Sequence, residues 1–119
     1  MEPRKQMGNT SEDIALAYLQ EQGYQLVVRN FRCKTGEIDL ILKKEQYLVF
    51  VEVRSRTGRD YGEPSESVNR KKQDKVRKTA QYYLYCNPQF ASYYCRFDVV
   101  SIVWEQGIQN LEWIKDAFM

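Results

Sequence analysis

The hydrophobic and polar positions divide the chain into a few clear elements. Residues 1–9 are polar and predict a mobile N-terminal segment. Thr10 or Ser11 then offers a cap for a helix running to about Gln22, with Glu12 and Asp13 in its first turn and Gly23 at its end. Residues 24–31 read as a first strand. Residues 36–43 and 47–55 read as a second and third, joined by the polar hairpin Lys43-Lys44-Glu45-Gln46. Gly58, Gly62 and Pro64 mark a loop over residues 56–66, and a helix follows from about Ser67 to Cys86, stopped by Asn87-Pro88. Residues 95–104 form a fourth strand, and after Gln106-Gly107 the pattern fits either a strand or a short helix. The order is α-β-β-β-α-β. With 119 residues, 43 % of them hydrophobic, one α/β domain over residues 10–119 is expected, a mixed central sheet flanked by helices.

Alternation places the polar residues that break the apolar pattern. In the third strand Leu48, Phe50, Glu52 and Arg54 share one face and Val49, Val51 and Val53 the other. Both faces are otherwise apolar, so this strand is expected at the centre of the sheet. The second strand sets Glu37, Asp39 and Ile41 on one face and Ile38, Leu40 and Leu42 on the other. A short hairpin then brings Asp39 beside Glu52. Two carboxylates about 4 Å apart repel by about 4 kcal/mol at an effective dielectric near 20, so one keeps its proton or a cation lies between them. A buried ion pair with an arginine is the alternative reading of the same residues.

The helices add two charged residues. Glu12 begins the inward stripe Glu12, Ala15, Leu16, Leu19, where it is either a partner of the helix dipole or a member of the acidic group. Lys72 lies on the second helix's stripe of Val68, Val76, Ala80, Tyr83 and Leu84. There it either extends outward to solvent or reaches the carboxylates. Arg70, Lys71, Lys72, Lys75, Arg77 and Lys78 oppose the single acid Asp74. This net +5 leaves −3 for the rest of a chain whose total is +2. Such a run is either a solvated face or a surface for an anion such as nucleic acid.

Composition narrows the chemistry. Histidine is absent, which excludes His-based triads and His-containing zinc sites. Cys33, Cys86 and Cys95 form no CxxC, and neither a signal peptide nor an apolar stretch of membrane length is present, so a reduced cytoplasmic protein without membrane contact is expected. A metal here would be held by oxygen, which favours magnesium or manganese.

Asp39 followed by Glu52-Val53-Arg54, with a basic helix after them, resembles the PD-(D/E)XK, or restriction-endonuclease-like, nuclease core. "GEIDLI", "VFVEVR", "CRFDVVSI" and "EWIKDAF" together resemble the YraN family of small bacterial endonuclease-like proteins, over nearly the whole chain from about Gly8. The resemblance implies a restriction-endonuclease-like fold and a metal-dependent nuclease acting on DNA, including branched DNA of the Holliday-junction type. It implies Mg²⁺ or Mn²⁺ held by Asp39, Glu52 and the backbone carbonyl of Val53, with Glu12 in the place of the helical acid of junction resolvases. It also implies a catalytic part for Arg54 and Lys72, and substrate contacts from Arg56, Arg59, Lys71, Lys75 and Lys78.

Arg54 departs from the pattern, which has lysine there. An arginine keeps its proton, so it cannot act as a base, but it can bind a phosphate oxygen. Lys72 is then the candidate to replace the missing lysine. A nucleic-acid-binding module that keeps the fold without cutting is the alternative, and a protein-interaction module is the third reading. No base-reading helix or aromatic platform for single strands is evident, so recognition by shape is expected. The tyrosines Tyr82, Tyr83, Tyr85, Tyr93 and Tyr94 either close the core or form an interface, and a twofold homodimer follows by analogy with resolvases.

Overall fold

The computed structural model describes residues 3–57 and 69–119, with the side chains of residues 10–56, 69–107 and 109–119. Met1 and Glu2, at the start of the segment expected to be mobile, lie outside the described residues, as do Arg59 and the expected loop from Gly58 onward. Helix α1 (Pro3–Glu21) precedes strands β1 (Gln25–Cys33), β2 (Gly36–Lys44) and β3 (Tyr47–Thr57). Helix α2 (Arg70–Cys86), a 3-10 turn over Pro88–Phe90, and strands β4 (Tyr94–Glu105) and β5 (Ile108–Phe118) complete the chain.

The five strands stand in the order β1-β2-β3-β4-β5. Strands β3 and β4 are parallel and the other neighbours antiparallel, so the sheet is mixed and β3 is its middle strand, as its apolar faces predict. The parallel pair needs a crossover, and α2 supplies it. Among the described residues, no helix is long and apolar enough to cross a membrane.

Each helix covers one face. Ala15 and Leu19 of α1 pack with Tyr24, Leu40, Leu42, Val49, Val51, Val100 and Ile102. Val76, Ala80 and Tyr83 of α2 pack with Ile41, Leu48, Phe50 and Val99. Leu19 is 1 % exposed, and cutting such a side chain to alanine costs about 2–5 kcal/mol. Gly23 ends α1 with φ 96°. Its amide bonds to Gln20 and that of Tyr24 to Leu19, a left-handed cap that glycine adopts without strain.

Three expectations change. Helix α1 starts at Pro3, ahead of the expected cap at Thr10 or Ser11, so Glu12 lies inside the helix and not in its first turn. Helix α2 starts at Arg70, and the Asn69 side chain accepts the Lys72 amide at 2.8 Å, so the cap falls two residues beyond Ser67. Ile38 belongs to the α2-side cluster with Ile41 instead of sharing a face with Leu40 and Leu42. The β1–β2 ladder passes from Arg29↔Leu40 to Phe31↔Ile38, and between them Asn30 has φ 58°. A left-handed residue inside a strand turns the backbone and re-aims the side chains beyond it. This kink lies opposite Asp39.

Candidate functional site

The β2–β3 ladder runs from Lys44↔Tyr47 to Leu40↔Val51. The next pair in that register would be Asp39 and Glu52. Instead the Asp39 side chain takes over the bonding: the Val53 amide donates to its Oδ2 at 2.8 Å. The strands part here, and both carboxylates are left at the opening.

Glu52 is 2 % exposed. Lys72 of α2 places its Nζ 3.7 Å from Glu52 Oε1, while Oε2 is buried without a hydrogen-bond partner. Burial first, and the Asp39 charge second, push the Glu52 carboxyl up to about 8, against the pull of Lys72, Arg54 and the Asp39 backbone amide. Burial also raises Asp39, with Glu37 adding to it, and the Val53 amide, Arg54 and Lys72 hold it down. At neutral pH the pair therefore shares a proton unless a cation joins it.

Arg54 is half-buried and acts electrostatically on both acids, and its Nε has no hydrogen-bond partner. Across the β3–β4 ladder Arg54 pairs with Ser101, a fully buried serine whose Oγ is also unsatisfied. Arg56 lies two residues further along the same strand face, partly buried. Lys71, Lys75 and Lys78 are exposed on α2. Lys71, Lys72 and Lys75 line a cavity of about 380 Å³ with Gly36, Glu37 and Asn69 at the start of α2, and Lys72 links it to Glu52.

Glu12 approaches from α1, on the other side of the sheet. Arg29 of β1 lies 3.5 Å from it and also bonds Asp13 at 2.6 Å. Burial first, then the Asp39 charge, raises the Glu12 carboxyl, and Arg29 and Asn30 oppose the rise. Glu12 thus senses Asp39 while its nearest charged partner is Arg29. Among the described residues, no three carboxylate or thiol groups are gathered closely enough to form a ready-made metal cage. The donors that fit a hard cation are Asp39, Glu52 with its unsatisfied oxygen, and the Val53 carbonyl, with water completing the shell.

The structure also places residues that sequence reasoning missed. Asp98 of β4 is fully buried and accepts four hydrogen bonds: from Arg96 Nε (2.9 Å) and Nη2 (3.0 Å), Trp113 Nε1 (2.8 Å) and the Asp116 amide (2.9 Å). Arg96 reaches on to the Tyr24 hydroxyl at 2.8 Å. The β4–β5 register shifts between Phe97 and Val99, where Asp116 has φ 55°, and Asp98 satisfies the amide that this irregularity frees. Asp98 pairs with Val51, on the α1 side, so its role is to fasten β5 and the end of α1 to the sheet. Arg96 and Asp98, two apart in a strand, were the available signal in the sequence.

The model of the uncharacterised protein family UPF0102 matches residues 11–102. The chain belongs to this family. A UPF0102 protein of Desulforamulus reducens is 46 % identical over 117 residues, 96 % of each chain. One from Clostridium botulinum strain 657 is 43 % identical over 116 residues, 96 % of this chain and 94 % of the relative. One from Lachnoclostridium phytofermentans is 45 % identical over 115 residues, 97 % and 94 %. The UPF0102 match spans Glu12, Asp39, Glu52, Arg54, Lys72 and Ser101 and stops before β5.

Proposed function

We propose that the chain is a divalent-metal-dependent nuclease that hydrolyses phosphodiester bonds in DNA. The observation that carries this reading is the Asp39–Glu52 pair: two carboxylates where the ladder opens, one with a buried oxygen that nothing in the protein satisfies. A buried acid with a displaced pKa, paired with a lysine that lines a basic cavity, is a functional-site signature. The order α-β-β-β-α-β and the Asp39, Glu52-Val53-Arg54 pattern support a place among the PD-(D/E)XK nucleases.

Asp39, Glu52 and the Val53 carbonyl would hold Mg²⁺ or Mn²⁺. When bound, that ion supplies a Lewis acid and an activated water. The Val53 amide keeps Asp39 turned toward the opening. Lys72, next to Glu52, is placed to orient water and to offset charge growing on the phosphate. The Arg54 guanidinium holds a phosphate oxygen and does not serve as a base. Arg56, Arg59 and the exposed lysines Lys71, Lys75 and Lys78 add salt-dependent affinity for the backbone.

One observation favours a second reading, a nucleic-acid-binding module that does not cut: Lys72 and Arg54 already offset the two acids. Titration of Mn²⁺ into wild type and Glu52→Ala, then incubation with labelled four-way, flapped and single-stranded DNA, separates the two. Metal binding lost in the variant, with metal-dependent cutting by wild type, is expected of the nuclease. Salt-sensitive DNA binding without metal binding is expected of the module.

A further inference from the structure

Beyond the acidic pair, a row of exposed side chains follows α2. Lys71, Lys75, Lys78 and Tyr82 recur at helical spacing and all four are exposed, so they form one row along the helix. At 1.5 Å per residue the row is roughly 16 Å long. Its first two lysines line the same cavity as Lys72, the partner of Glu52. Its last member, Tyr82, lines a second cavity of about 530 Å³ with Arg32, Cys33, Lys34 and Thr35.

The β1–β2 turn separates the two cavities, with Gly36 lining the first and Thr35 the second. Thr35 Oγ1 lies 2.9 Å from Thr79 Oγ1 and fastens the turn to α2 between them. The second cavity's lining holds two cations and, among the described residues, no carboxylate. Arg32 pairs with Glu37 at 3.4 Å, an exposed contact that a phosphate can replace at little cost.

Tyr82 is 50 % exposed, and Phe31 stacks on it at 6.4 Å and 27°. The ring is therefore backed by another ring and still open to the cavity. Every base carries a π face, and a duplex keeps all but its terminal pairs stacked on one another, where Tyr82 cannot reach them.

We propose that this row is a subsite for an unpaired strand. The strand leaves the acidic pair, lays its phosphates along Lys71, Lys75 and Lys78 and against Arg32 and Lys34, and stacks a base on Tyr82. The inference rests on the nucleic-acid reading of the acidic pair and narrows it: the substrate carries a single-stranded arm, as a flap, overhang or opened branch does. A tyrosine that sequence grouped with an aromatic cluster becomes the platform that sequence did not reveal.

The test is fluorescence anisotropy of the full chain in EDTA, so that nothing is cut, with a short labelled single strand and the same sequence as a blunt duplex. Wild type binds the single strand more tightly. Tyr82→Ala weakens that binding by about fivefold or more and leaves the duplex within about twofold. Tyr82→Phe, which keeps the ring, stays near wild type. Lys34→Glu, away from the core, weakens single-strand binding and lowers its salt dependence. Folded Tyr82→Ala with unchanged single-strand binding, or a duplex bound as tightly as the single strand, overturns the proposal. If Tyr82→Ala does not fold, unchanged binding by Lys34→Glu overturns it. Expected binding in a wild type that cuts nothing defeats the nuclease reading alone. Metal-dependent cutting with equal binding of both probes defeats the subsite alone.

Discussion

The Val53 amide donates to Asp39 Oδ2 at 2.8 Å, at the point where β2 and β3 cease to pair. A side chain thus replaces a ladder carbonyl, and the carboxylate is held beside Glu52 by the backbone of Glu52's own strand. Asp39→Asn keeps an acceptor for Val53 but removes the charge. The Glu52 carboxyl, followed by carbon-13 NMR, should then titrate lower than in wild type, because Asp39 is its main repelling neighbour. Metal affinity should fall at least about tenfold, as expected for losing one of few charged ligands. Unchanged metal affinity would make Asp39 a structural residue only.

Glu52 titrates near 8 in the folded chain against an ordinary 4.5. The folded state therefore binds more protons at Glu52 than the unfolded state between these values, so this group's contribution to stability is fully present below about pH 4.5 and is lost as pH rises through 8. The Asp39 shift acts in the same direction. For the pair this amounts to a loss on the order of a few kcal/mol. Thermal unfolding in EDTA from pH 5 to 8.5 should show the decline, and Mn²⁺ should raise the midpoint most at the alkaline end. A flat profile would mean the pair is better paired than its burial implies.

Asp98 has all its accepting capacity filled by Arg96, Trp113 and Asp116. Asp98→Ala leaves a partly buried guanidinium without its anion, at a cost of about 3–5 kcal/mol. Because Asp98 lies on the α1 side, variants that still fold should bind Mn²⁺ as wild type does. Urea unfolding and metal titration on one sample check both halves.

Ser101 reverses this logic. Its hydroxyl is fully buried and unsatisfied, so it contributes nothing that alanine would lose. Ser101→Ala should be neutral or stabilising by up to about 1 kcal/mol in urea unfolding. Because the hydroxyl is out of reach of a bound phosphate, DNA affinity should be unchanged in the same variant.

Much of this site was legible in the sequence because it rests on short-range geometry. The short hairpin brings Asp39 near Glu52, and helical spacing sets Lys72 where both readings of it hold, its Nζ 3.7 Å from Glu52 and its side chain still 42 % exposed. What escaped depends on contacts across the fold. The kink at Asn30 moves Ile38 to the other cluster, and no local pattern signals it. The final segment was ambiguous between strand and helix because Asp116 and the register shift interrupt its alternation, and the irregularity is tolerated only because Asp98 bonds the freed amide. Helix α1 runs through Thr10 and Ser11 although both residues favour caps, so the cap rule misplaced its start and the first-turn role of Glu12 with it.

We propose Asp39 and Glu52 as a metal-dependent cutting site. Its most direct test is calorimetric titration of Mn²⁺ into wild type and Glu52→Ala, with the same samples then given labelled branched DNA. Binding that disappears in the variant, together with cutting by wild type only when metal is present, is the predicted result. Equal metal binding by both proteins, or a wild type that binds the metal and leaves every DNA intact, would contradict it.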